Sequence, residues 1–366
     1  MIVNPALLEP SLRDAVCEQC HLIGDHRVVR AGRREEDYRP GLPFERFWAV
    51  LVQPADGGES RFVGQVEQMH ESQCFRGSQG RLGCISCHDP HRLPSLEQKV
   101  AYYRDRCLHC HGDRGCSLAA NVRLAQSPDD DCTNCHMHRV TNVDIPHAAS
   151  ANHRIPRSGQ QDDPSASPSK TLSRTRRRPV PFHREVVDAR QQTELGRDIG
   201  VALCRSDEDG ARIALPLLEK ALAARPDDAT AWEAKGFASG KVGRDDESLA
   251  AFQQALAREP SRESALVAAA YQTVKMDRRQ DATGFWQRAI AISPLRSDYH
   301  AELAFVYVHD GNWKNAAAEC REALRLNPSW VEIRKTLIRC YLQLGDAEAA
   351  RTEQATVVAF EPTGPR

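Results

Sequence analysis

Five prolines, Pro226, Pro260, Pro294, Pro328 and Pro362, stand 34 residues apart without a slip. A period of that length constrains the chain more than its composition does, because it marks one structural unit copied along the sequence. Small or apolar residues recur five positions before each proline (Ala221, Ala255, Ala289, Ala323, Val357). Eight positions before stand Leu218, Phe252, Trp286 and Cys320, with Gln354 breaking the series. The pattern predicts a helix pair per unit. Small residues let the two helices approach, a large side chain fills the gap beside them, and proline ends the second helix. One pair cannot bury its apolar face, so the units stack into a solenoid.

Together with Trp232, Gly236, Tyr307, Gly311, Tyr341 and Gly345, these positions resemble the tetratricopeptide repeat. The resemblance implies an α-solenoid over residues 191–366, of about five repeats with the first poorly matched, whose inner helices line a concave groove. Four residues follow Pro362, so the last repeat is expected to fray or to rest on a partner. Phe237, Tyr271, Phe305 and Arg339 share one position of the period. They read either as a stripe that binds a peptide or protein ligand, or as packing between repeats.

Ahead of the repeats the chemistry is different. Of the 13 cysteines, ten fall between Cys17 and Cys135, and 11 of the 14 histidines precede residue 154. The cysteines include four copies of C-x-x-C-H: Cys17, Cys20, His21; Cys84, Cys87, His88; Cys107, Cys110, His111; and Cys132, Cys135, His136. A C-x-x-C pair alone is ambiguous between zinc, redox and haem; four following histidines arise by chance with a probability on the order of 10⁻⁶ and select the haem reading. Two intervening residues let one short turn present both sulfurs to the vinyl edge of a porphyrin. The next residue then supplies the proximal imidazole. The expectation is about four covalent haems c. In the alternative, Cys107/Cys110 with Cys132/Cys135, and Cys17/Cys20 with Cys84/Cys87, would hold zinc, leaving the four histidines unused.

Second axial ligands are sought among the remaining histidines. His70, His91, His147 and His153 stand in stretches that read as loops and are the distal candidates. His91, three residues after His88, is placed to ligate a neighbouring haem rather than its own. His109 and His138 lie inside or just after a motif, and His26 is a weaker candidate. Cys74 and Cys116 belong to no motif and are expected either to pair as a disulfide or to remain free thiols. The apolar run at residues 46–52 predicts a short strand or buried segment, and residues 55–60 a turn.

Four such motifs, with "CISCHDPH" among them, look like the multihaem c-type cytochromes, and the whole chain resembles bacterial multihaem cytochromes fused to tetratricopeptide repeats. The resemblance implies a mainly α chain. An irregular and helical multihaem region occupies 1–154, a Pro/Ser/Arg-rich linker 155–190, and the solenoid 191–366. It implies electron transfer between redox partner proteins, with the repeats docking them. The alternatives are an oxidoreductase acting on a small nitrogen or sulfur compound at an open haem site, and a zinc-binding repeat scaffold. Haem c attachment outside the cytoplasmic membrane implies a periplasmic or other extracytoplasmic location. Residues 1–16 lack the basic and apolar regions of a secretory signal, so the signal, and further motifs, are expected upstream. A net charge of −1 gives no bias toward nucleic acid, and no apolar run indicates membrane association.

Overall fold

Residues 3–53, 64–112, 115–141, 149–156, 178–183 and 189–360 are described by a computed structural model, which divides into Met1–Asp188 and Ala189–Arg366. Among the described residues no helix is long and apolar enough to cross a membrane.

In the first unit, α1 (Pro10–His21) opens with proline at its first position, where the missing N–H costs nothing, and ends on the first C-x-x-C-H. The strands β1 (His26–Val29) and β2 (Trp48–Val52) pair antiparallel. Seven-residue α2 (Gln65–Glu71) and α3 (Gln73–Ser78) follow, and Ser72 caps α3 by accepting from the Phe75 N–H. The other three motifs lie on helical turns: α4 (Cys84–Cys87), the end of α5 (Lys99–His111), and α7 (Cys132–His136) beyond α6 (Ala120–Gln126). A two-stranded ladder, β3 (Arg139–Thr141) with β4 (Ala149–Ala151), leads on to His153.

The first unit is not only irregular and helical, as expected, because residues 22–53 build a sheet with an aromatic core. Residues Trp48 to Leu51 are all buried, so both faces of β2 are covered. The ring of Trp48 stacks on Phe44 at 4.8 Å, Tyr38 and Phe47 close around them, and the Arg27 guanidinium lies 4.3 Å from the Trp48 ring centre. Part of the expected linker also belongs here. β5 (Val180–Pro181) adds to the free edge of β2, giving the order β1-β2-β5, and Phe182 packs against the aromatic core. Val180 and Pro181 favour extended backbone, and proline is tolerated on an edge strand.

The second unit is five helix pairs: α8 (Ala189–Leu203) with α9 (Glu208–Ala224), α10 (Ala229–Lys241) with α11 (Asp245–Arg258), α12 (Glu263–Lys275) with α13 (Arg279–Ile292), α14 (Ser297–His309) with α15 (Trp313–Leu326), and α16 (Val331–Gln343) with α17 (Ala347–Phe360). From α10 onward the first helices begin 34 residues apart, and so do the second helices. The residues five before each proline are buried, as are Leu218, Phe252, Trp286 and Cys320. Gly236 is required by this packing, since a Cβ there would meet the Phe252 ring at 2.5 Å. The first pair departs from the pattern: α9 runs 17 residues and contains Pro216. First helices of neighbouring repeats, α8 with α10 and α10 with α12, also touch each other. In α17, Val357 is buried while Val358 is 55% exposed, so the last helix keeps an apolar residue in solvent.

Candidate functional site

The four motifs meet in chain order. Arg13 of α1 pairs with Asp14 (3.0 Å), and its guanidinium donates to the carbonyls of Arg81 (3.2 Å) and Gly80 (3.4 Å), just before α4. Gly83 sits against that ion pair, where a Cβ would collide with Arg13 and Asp14. The docking brings the Cys17 thiol into hydrogen-bonding contact with the Cys84 thiol, which lowers the pKa of Cys17 and raises that of Cys84. The first cysteines of the third and fourth motifs meet similarly: Cys107 is beside Cys132, and burial with that neighbour pushes it up to about 12. Asp130, before α7, receives Arg104 of α5 at 2.6 Å and Arg123 of α6 at 2.5 Å. Between these pairs, Tyr103 of α5 lies edge-on to His88 at 5.9 Å, and Cys87 lies near Cys74 and Cys110.

Among the described residues of the first unit, His136, His153 and His21 have Nδ1 held by an oxygen. His136 Nδ1–H donates to the Pro156 carbonyl (2.7 Å), His153 Nδ1–H to the Ala151 carbonyl (2.9 Å), and His21 Nδ1–H to Gln65 Oε1 (3.3 Å). Since a carbonyl only accepts, a proton sits on Nδ1 and Nε2 is left for another partner, the arrangement metal-ligating histidines adopt. The rings of His88 and His153 lie 6.1 Å apart, their planes 26° from parallel. Desolvation of the ring lowers the pKa of His88, although the residue keeps an exposed edge, and His153 is lowered by burial as well. Both imidazoles are therefore neutral at neutral pH.

Helix α2 organises this region and was not legible as a site from the sequence. Its Gln65 receives His21. The buried carboxylate of Glu67 accepts the N–H groups of Ile23 (3.0 Å) and Gly24 (2.7 Å), Gln68 Oε1 accepts the His153 N–H (2.8 Å), and Glu71 pairs with Arg154 (2.7 Å). The only signal was a run of amide and acid side chains free of Gly and Pro. The same helix holds His70, which is therefore not in a loop. Its ring stacks on Phe75 at 4.0 Å, with Phe182 at 5.0 Å, and burial pushes its pKa down to about 4.

His91 is exposed, its N–H donating to Asp89 Oδ1 (2.9 Å). His111 is also exposed. His147 lies outside the described residues. His183, beyond the expected cytochrome boundary, is 3.3 Å from Glu18 inside the first motif. No disulfide joins Cys74 to Cys116: Cys74 adjoins the motif thiols Cys87 and Cys110, whereas Cys116 accepts a hydrogen bond from Arg123.

The residues fit a covalent haem. Each motif is a helical turn, the anchored histidines offer Nε2, and the buried Tyr38 Oη, close to Cys17, has no protein partner. Buried donors are normally paired, and a cofactor with carboxylate substituents would use it. The zinc quartets expected as the alternative are not assembled: among the described residues no three His, Cys, Asp or Glu side chains converge as a metal-ion site.

In the second unit the four groove residues occupy one position on α10, α12, α14 and α16, and their surroundings divide them. Phe237 is taken up by packing, with the Arg205 guanidinium 3.8 Å above its ring and Phe252 edge-on at 5.1 Å. Tyr271 is 49% exposed but donates its hydroxyl to Glu302 (3.1 Å) and meets Trp286 edge-on. Phe305 and Arg339 line a cavity of about 380 Å³ with Val308, His309, Trp313 and Thr336. Arg339 lies 5.5 Å from the Trp313 ring centre.

The tetratricopeptide repeat family model matches residues 307–366. The crystal structure of MamA protein is similar at 20% identity and a TM-score of 0.42, covering 47% of this chain and 92% of that one. MamA 41-end from Desulfovibrio magneticus RS-1 is similar at 17% identity and a TM-score of 0.41, covering 46% and 94%. No curated protein matches the chain. The second unit carries tetratricopeptide repeats, a module for protein–protein interaction.

Proposed function

We propose that residues 1–154 bind four covalent haems c on the C-x-x-C-H motifs and relay electrons between partner proteins in an extracytoplasmic compartment. The observation that carries this reading is the set itself: four motifs on helical turns, each in contact with the next. The bound haems supply one-electron chemistry. The chain attaches each through two cysteines, presents His21, His88, His111 and His136 to the irons, and keeps successive motifs touching so that gaps between cofactors stay short. The oxygen-anchored imidazoles of His21 and His136 support the assignment.

The repeats dock the redox partner. The cavity at Phe305 and Arg339 fits an apolar side chain beside an acidic group, since Arg339 faces an aromatic ring and no carboxylate is paired with it among the described residues.

The test is the haem-to-protein ratio of the chain produced with an export signal in a host that matures c-type cytochromes, read by alkaline pyridine spectra on denatured protein. Four covalent haems per chain are expected. Chains that accumulate folded with no covalent haem would overturn the reading. Cys132→Ala with Cys135→Ala should lower the ratio from four to three, because each motif holds its own cofactor.

A further inference from the structure

We propose that His153 is the second axial ligand of the haem iron bound by His88, making that centre bis-histidine. The inference rests on the haem reading above and assigns one specific pair of residues within it. Two imidazoles binding one metal from opposite sides, with bonds of about 2.0–2.1 Å and about 1.1 Å from nitrogen to ring centre, place their centres about 6 Å apart. The His88 and His153 rings are 6.1 Å apart. Nearly parallel rings at that distance overlap little as a stack, so ring contact alone does not account for the placement.

His153 is also held more firmly than a loop histidine needs to be. Its N–H is fixed by Gln68 and its Nδ1–H by Ala151. The residue before it, Asn152, is 1% exposed and accepts the Arg154 N–H (3.0 Å), and Arg154 is tied to Glu71. These bonds leave Nε2 as the one ring nitrogen without an assignment. The other distal candidates lack this combination: His70 is stacked between aromatic rings and His91 faces solvent.

The test uses the full chain matured with haem, and reads spin state and stoichiometry by electron paramagnetic resonance and pyridine spectra. In His153→Ala, four covalent haems per chain remain, one becomes high-spin, and free imidazole returns it to low spin. An unchanged spin inventory would overturn the pairing. A second pair of variants fixes which haem is involved. With Cys84→Ala and Cys87→Ala the chain holds three haems, and adding His153→Ala should create no new high-spin iron. A new high-spin signal in that background would show that His153 ligates a different haem and would overturn the proposal. Should His153→Ala fail to fold, His153→Met carries the test. A thioether at that position should raise the potential of one centre, and potentials all unchanged from the parent would overturn the pairing. Wild-type protein without covalent haem is a separate result, which removes the underlying reading as well.

Discussion

Replacing Trp286 with alanine is expected to destabilise the solenoid by about 3–5 kcal/mol, the usual loss for a large aromatic truncated in a core. Trp286 is 1% exposed and leads the fully buried side chains by volume. It sits where α12, α13 and α14 meet, with Tyr271 edge-on at 5.1 Å and Tyr299 at 5.6 Å. No rearrangement of alanines nearby fills the space it leaves. Its Nε1 has no hydrogen-bond partner, so phenylalanine there removes an unpaired donor while keeping most of the volume. Trp286→Phe should therefore lose much less, about 1 kcal/mol, the gain offsetting part of the cavity cost. Urea unfolding followed by helical circular dichroism separates the two. Because stability in a repeat array is local, hydrogen exchange should show α12–α14 opening first. Equal losses in both variants would contradict this account of the core.

The second large effect is at Asp228, which joins α8 to the start of α10. Arg197, buried at 4% exposure, donates to Asp228 through Nε (2.9 Å) and Nη2 (3.2 Å), and through Nη1 to Asp198 (2.9 Å). Asp228 also caps α10 by accepting the Ala231 N–H (2.9 Å). Asp228→Ala leaves a buried guanidinium short of a charge and a helix without its cap. The expected loss is about 3–5 kcal/mol, with the cap contributing about 1 kcal/mol of it. Burial alone would raise the Asp228 pKa, but the hydrogen bonds and charge of Arg197 outweigh it and the net shift is downward from 3.8. With the folded pKa depressed, the unfolded chain binds more protons at low pH. The stabilisation is then complete above about pH 3.8 and is lost as pH falls through the lower, folded value. The wild type should lose this stability in acid, whereas Asp228→Ala should show a flatter acid limb in thermal melts taken from pH 5 to pH 2.

The repeats were legible because their information is local and periodic. The positions of Pro226 and Ala255 keep a proline and a small or apolar residue in every copy, so one repeat predicts the next. The first pair matched less well, since α9 runs 17 residues and contains Pro216 ahead of the Pro226 that follows its end. In the N-terminal unit the four C-x-x-C-H motifs could be read directly, because each is five contiguous residues. Their surroundings could not. Gln65 and Gln68 are ordinary polar residues until the fold brings His21 and His153 to them across 44 and 85 positions. His70 was read as a loop residue from its polar neighbours, yet Gln65–Glu71 contains nothing that breaks a helix. The segment at Val180 was read as linker from the composition around it, and only pairing with β2 gives those residues a place. Equivalent positions in the groove were also visible, but occlusion at Phe237 depends on Arg205 from the preceding pair, and the cavity at Phe305 on Arg339 from the following one.

The bonds from α2 to Gln68's and Glu71's partners span 85 and 83 residues, whereas each cysteine turn closes within a few. Closing long segments costs more chain entropy and comes late in folding. Residues through Arg154 must therefore emerge before the loop of His153 can be clasped. Folding of this region thus has an order: the short cysteine turns close first, and the clasp of His153 by Gln68 comes last, when the strand at Ala149–Ala151 has paired. A nascent chain stopped before residue 153 has its second motif complete in sequence and still lacks that clasp.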